Sequence, residues 1–180
     1  MGPRREAGRP LESELLFVLG IDPGVSRCGY GCVEGGPGMR PRAVAVGVLT
    51  TPPGDPLPGR LAELDRELRG LIAELQPAVV AVERVFFQVN ARTAMSVGQA
   101  SGLALVAASQ AGCEVAQYTP NEVKSAVAGY GSAPKEQVQR MVQTLLALAE
   151  VPRPPDAADA LALALCHLAM APLRRRVEAR

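Results

Sequence analysis

Asp22, Glu83, Asp156 and Asp159 are the residues whose type and spacing could carry chemistry in this chain. Asp22 closes the apolar run at 15–21, Glu83 closes a second run at 78–82, and Asp156 and Asp159 follow Pro154 and Pro155 at the start of a helical pattern. The chain has five aspartates, and three at such positions exceed what surface solvation needs. A spacing of i, i+3 turns Asp156 and Asp159 to one helix face. If that face meets the two strand ends, like charges ~5 Å apart repel by roughly 3 kcal/mol per pair at an effective dielectric near 20. The single histidine and the two lysines cannot neutralise four carboxylates without sitting among them. Divalent cations can, and oxygen-only ligation selects Mg²⁺, with Mn²⁺ as substitute, over zinc.

The reaction such a site suits is phosphodiester hydrolysis. Its uncatalysed rate is so low that an enzyme must remove on the order of 20 kcal/mol from the barrier. A positioned general base supplies only about 10²- to 10⁴-fold. Two metal ions ~3.5–4 Å apart can activate water and stabilise both oxygens of an in-line displacement. Each acid also has a blander reading. Asp156 could be the N-cap and Asp159 a first-turn acid favoured by the helix dipole. Glu83 could pair with Arg84, and Asp22 could form the turn before Pro23.

The elements that must position these acids follow from hydrophobic pattern. Runs at 15–21, 28–33 and 43–49, separated by Gly/Pro turns, predict a three-stranded meander. Leu61, Leu64, Leu68, Leu71, Ile72 and Leu75 recur at helical spacing, and Gln76-Pro77 stops that helix before a fourth strand at 78–83. A strand–helix–strand crossover places the fourth strand parallel to the first. Both then end at one sheet edge, where open sheets bind ligands. A helix at 91–110, a strand at 113–118, helices at 120–127 and 134–149, and a last helix at 156–170 closed by Pro172 complete an α/β chain with a five-stranded mixed sheet flanked by helices. Residues 1–14 are read as a disordered N-terminal extension, 15–171 as one domain, and 172–180 as a basic C-terminal tail.

Composition narrows the class. One hundred and eighty residues suit one domain with a sizeable core. A net charge of +1 leaves DNA binding to local patches rather than to a global field. Cys28, Cys32, Cys113 and Cys166 contain no CxxC pair, so reduced thiols are expected in a cytoplasmic protein. No run reaches the ~18 apolar residues of a membrane span.

The segments Gly20-Ile21-Asp22-Pro23-Gly24 with Gly29-Tyr30-Gly31, Val82-Glu83-Arg84-Val85-Phe86, Gly98-Gln99-Ala100-Ser101-Gly102, Val123-Lys124, Gly131-Ser132-Ala133-Pro134-Lys135 and Asp156-Ala157-Ala158-Asp159-Ala160-Leu161-Ala162 occur in that order. From about Phe17 to Ala171 the chain closely resembles the RuvC Holliday junction resolvases. The resemblance implies a ribonuclease H-like fold, a homodimer, and paired nicking of opposed strands at a four-way DNA junction during recombination and repair. It implies two magnesium ions per subunit, held by Asp22, Glu83, Asp156 and Asp159, with Asp22 bridging them. It also implies a branch-migration motor and a junction-binding tetramer, of the RuvB and RuvA type, as partners. The first fourteen residues are an extension that the family pattern lacks.

Lys124 and Lys135 are the only lysines, and they flank the loop at 129–132. They are compact charges suited to phosphates, or two solvated helix lysines; in the resemblance they support cleavage. Phe86 and Phe87 are two of six aromatic residues. Beside Gln88 and Asn90 an exposed ring can stack on an unpaired base, a role the resemblance gives to Phe86; a core role is the alternative. Arg84 and Arg92 are candidate phosphate contacts or plain surface charge. Gly98 and Gly102 let another backbone approach the helix at 91–110, either the sheet or a second subunit. His167, among apolar neighbours, reads as a satisfied core histidine. Three competing functions remain at this stage: an ATP-binding module of the sugar-kinase or actin type, a YqgF-like RNA nuclease, and a junction binder that does not cut.

Overall fold

A computed structural model describes residues 15–84 and 91–178, with residues 91–93 and 172–178 described by backbone alone. Strands β1 (Leu16–Asp22), β2 (Arg27–Gly35) and β3 (Arg42–Thr50) form the expected antiparallel meander. Helix α1 (Leu57–Leu75) buries Leu64, Leu68 and Ile72, one residue per turn, and ends at Gln76. Gln76 adopts a left-handed conformation (φ 45°), and its N–H donates to the Ile72 carbonyl, so the chain reverses into Pro77. Strand β4 (Val79–Glu83) then pairs parallel with β1, and β5 (Glu114–Tyr118) pairs parallel with β4. The sheet order is β3-β2-β1-β4-β5.

Strand alternation assigns residues to two cores. Leu19, Ile21, Val80 and Val82 face α1 and α2 (Ala91–Gln110). Val18, Val79 and Ala81 face α3 (Pro120–Ala128), α4 (Lys135–Leu146) and α5 (Pro155–Glu178). Asp22 and Glu83 continue the second series, so both carboxylates lie on the α5 side of the sheet. Pairing of Ile21 with Val82 sets their strand ends side by side.

Helix α5 lies directly on β1 and β2 because glycine floors its seat. A Cβ on Gly20 would stand 1.9 Å from the Ala160 carbonyl oxygen, and one on Gly29 2.1 Å from that of Asp156. Gly20 pairs with Gly31, so the two strands offer a continuous bare patch. The helix answers with Ala157, Ala158, Ala160, Ala162 and Ala164, all buried.

Some expectations are corrected. Asp156 is not the N-cap of α5; Pro155 is the first helical residue and Asp156 the second. Pro suits that first position because its absent N–H had no intrahelical partner to lose. Pro172 does not close α5, which runs on to Glu178 through the start of the expected tail. Proline removes one donor from the ladder, but a helix already anchored by nine buried residues at 157–166 bears that loss. Helix α4 ends at Leu146, three residues early, because Ala147 takes a left-handed cap. Residues 1–14 lie outside the described residues. All four cysteines are free. Burial pushes the Cys28 and Cys32 thiols up to about 12 and about 11, which makes them inert packing groups. Among the described residues no helix is long and apolar enough to cross a membrane.

Candidate active site

The four carboxylates come from three elements and are brought to one sheet edge. Asp22 and Glu83 arrive on adjacent parallel strands, and Asp156 and Asp159 from the first turns of α5 above them. Their charges feel one another. Burial first, then Glu83, Asp159 and Asp156 in that order, raise the Asp22 carboxyl from 3.8 to about 7, against the pull of Lys135. Burial and Asp159 raise Glu83, again opposed by Lys135. Asp159 is raised by burial despite a bond from Lys135. Three acids that resist ionisation at one edge constitute an unmet demand for positive charge.

Two side chains meet part of that demand. Lys135, the first residue of α4, donates from Nζ to Asp159 Oδ2 at 2.5 Å. That bond and the charges of Asp159, Asp22 and Asp156 outweigh burial and hold its ammonium above the ordinary 10.5. Arg27, the first residue of β2, donates from Nε and Nη2 to Asp156 Oδ2 at 3.0 and 2.9 Å. One of the two lysines thus does sit among the acids, and Arg27, which the sequence reading did not single out, joins it. A signal for Arg27 did exist. It lies two residues before Gly29, and Gly29 pairs with Asp22, so its position beyond the end of β1 was open to inference.

Among the described residues no three His, Cys, Asp or Glu side chains are grouped closely enough, as placed, to hold a metal ion. The donor set still fits a hard cation: it is all oxygen, converges from three elements, and holds Asp22 near 7 through burial and then its acidic neighbours. Two of the acids are engaged as placed, Asp156 by Arg27 and Asp159 by Lys135, each through its Oδ2.

The remaining candidates scatter. Lys124 is half-buried on α3 and forms no ion pair among the described residues. Arg84 is exposed, and its backbone N–H donates to the Tyr118 carbonyl at 2.8 Å. Phe86 and Phe87 lie outside the described residues, as does the side chain of Arg92. His167 is a core histidine as expected, 3% exposed, its Nδ1 2.9 Å from the hydroxyl of Tyr118. Tyr118 in turn pairs with Glu83 across β4 and β5, so this buried contact ties α5 to β5, the neighbour of the strand that presents Glu83.

A family model described as "Crossover junction endodeoxyribonuclease RuvC" matches residues 18–167. The chain belongs to the RuvC family. Curated RuvC proteins of the same description include one from Moorella thermoacetica, 54% identical over 89% of this chain and 96% of its own. Another, from Salinispora arenicola, is 56% identical over 91% of this chain and 94% of its own. The structure of Thermus thermophilus RuvC in complex with a Holliday junction substrate superimposes with a TM-score of 0.84 at 40% identity, covering 88% and 96% of the two chains. Yeast mitochondrial Ydc2, at 16% identity and a TM-score of 0.64, shares the fold. The ribonuclease H-like architecture expected from the resemblance is thus the one found. RuvC membership replaces the ATP-module and YqgF-like readings.

Proposed function

We propose that this RuvC protein is a magnesium-dependent endonuclease that resolves four-way DNA junctions by paired, symmetric nicks, in recombination and repair. The observation that carries the reading is the convergence of Asp22, Glu83, Asp156 and Asp159 at one sheet edge, where burial first and then its three acidic neighbours raise Asp22 to about 7. RuvC relatives named as crossover junction endodeoxyribonucleases, and a neighbour solved with a Holliday junction, supply the substrate class.

The four acids would hold two ions, with Mn²⁺ able to replace Mg²⁺. Bound there, the metal supplies an activated water and neutralises the oxygens of the displacement. The protein's own residues do the positioning. The β1–β4 pair fixes Asp22 and Glu83 on rigid strands, and the glycine floor sets α5 close enough for Asp156 and Asp159 to share the edge. Lys135 stands at the site with its proton held, a ready partner for phosphate or leaving oxygen. Lys124, Arg84, Arg92 and Phe86 complete the proposed DNA surface, with Phe86 stacking on an unpaired base. The partners are four-way junction DNA, a second subunit, and a motor and junction-binding tetramer that move the branch point.

The test is incubation with a mobile four-way junction in Mg²⁺ and sizing of both strands. Asp22→Asn and Asp156→Asn should still bind the junction, with cleavage reduced at least 10³-fold. Cleavage at the wild-type rate by either variant would refute the assigned chemistry.

A further inference from the structure

We propose that Arg27 is a positioning latch on the metal site: its guanidinium holds Asp156 until a cation takes that carboxylate, whereupon it turns to a phosphate of the DNA. This rests on the reading of the site given above. Both donors of Arg27 converge on one oxygen, Asp156 Oδ2. The two donors fill both lone-pair sites of that oxygen, so an ion bound through it must displace at least one of them. The pair is accessible enough to exchange, its side chains being 50% and 30% exposed.

The arm that carries Arg27 is built rather than loose. Arg60, from the first turn of α1, donates from Nη2 to Ser26 Oγ at 2.6 Å and from Nε to Thr51 Oγ1 at 2.9 Å. Thr51, itself buried, donates to the Val25 carbonyl at 2.7 Å, and its N–H reaches the Ser26 carbonyl. Residues 25 and 26 are thereby pinned to β3 and α1, so Arg27 pivots from a fixed backbone and only its side chain needs to move. A guanidinium released at this spot faces the edge where a scissile strand would lie. Its planar fork suits phosphate oxygens as well as it suits a carboxylate.

The proposal makes Arg27 a competitor of the cation in the absence of DNA and a DNA contact in its presence. Mn²⁺ binding is measured on the DNA-free protein by the electron paramagnetic resonance signal of the free ion. Wild type, Arg27→Gln, Asp156→Asn and the double variant are compared. Arg27→Gln should bind Mn²⁺ about two- to five-fold more tightly, the range an exposed ion pair is worth. The gain should vanish in the Asp156→Asn background, because Arg27 acts through that carboxylate. An equal gain in both backgrounds would show a general field effect and overturn the latch. A weakened Asp156→Asn with no gain from Arg27→Gln would sink the latch alone. Asp156→Asn binding Mn²⁺ like wild type would sink the metal reading and the latch together. In the second arm, junction affinity is titrated against salt in Ca²⁺. Arg27→Gln should lower the slope of log affinity on log salt by about one; an unchanged slope would remove the phosphate contact.

Discussion

Asp22 shows how one residue can be costly to the fold and indispensable to the site. Its carboxyl titrates near 7 in the folded chain against 3.8 for the free group, so between those values the native state holds a proton that the unfolded chain has released. A raised folded pKa contributes stability in full below 3.8, and that contribution is lost as pH rises through about 7. The displacement corresponds to on the order of 4 kcal/mol as an upper limit, and Glu83 and Asp159 are displaced in the same direction. Chelated wild-type protein should therefore be less stable to urea at pH 8 than at pH 5. Asp22→Asn, which has no proton to lose, should exceed wild type at pH 8 by roughly 1–4 kcal/mol. Added Mg²⁺ should reverse the order by stabilising wild type more than the variant. A chelated wild type with flat stability between the two pH values would mean that Asp22 does not carry this strain. The acids themselves were legible because a carboxylate ending an apolar run is conspicuous. Their countercharges were less so: an arginine among many carries no periodic signal, and the β1–β2 register places Arg27 beyond the end of β1 without showing that it reaches Asp156 on α5.

Among the elements, α5 and the strands beneath it act as one unit. Glycine at 20 is a matter of space, since its neighbours on β1 are extended and the oxygen of Ala160 occupies the place of a Cβ. Gly20→Ala should force helix and sheet apart, at about 2–3 kcal/mol for such overpacking, or roughly 5–10 °C in Tm for a chain of this size. Cleavage should fall further than stability does, because the same shift carries Asp156 and Asp159 away from Asp22. Gly70→Ala is the matched control. It sits in the interior of α1 with no described residue within 4 Å of an added Cβ, so it should gain about 0.5–1 kcal/mol from helix propensity. Equal melting temperatures for the two variants would show that the seat is not tight. All ten elements were readable from pattern, with ends displaced by a few residues, because strand and helix periods are strong in runs this apolar. The end of α5 was misread since proline's local penalty says nothing of the buried turns ahead of it. The closeness of α5 was hidden as well: glycines in strands look like weakness until a helix is laid across them.

Taken whole, the molecule leaves α2 with two unlike faces. Ala100, Ala104, Ala107 and Ala108 are buried in the core against the sheet. On another side Met95, Gly98, Gly102 and Val106 recur at helical spacing, with Met95 65% and Val106 48% exposed. Among the described residues nothing lies within 4 Å of a Cβ added at Gly98 or Gly102. The described residues of the chain therefore do not account for these small residues by packing, which was one of the two readings the sequence left open. We infer that the stripe meets its own copy in the proposed homodimer, since an isologous contact pairs the same patch on both subunits and yields two sites related by a two-fold axis. Two such sites are what simultaneous nicking of opposed strands requires. Gly102→Glu tests this cleanly, because a side chain there meets open space in the subunit and leaves the fold intact. Wild type should sediment as a dimer and Gly102→Glu as a monomer with an unchanged melting profile at chelated, low concentration. On a four-way junction the variant should nick single strands without pairing the cuts. A variant that still sediments as a dimer would place the subunit contact elsewhere. One that becomes monomeric yet resolves junctions into paired products would separate symmetric cleavage from the dimer altogether.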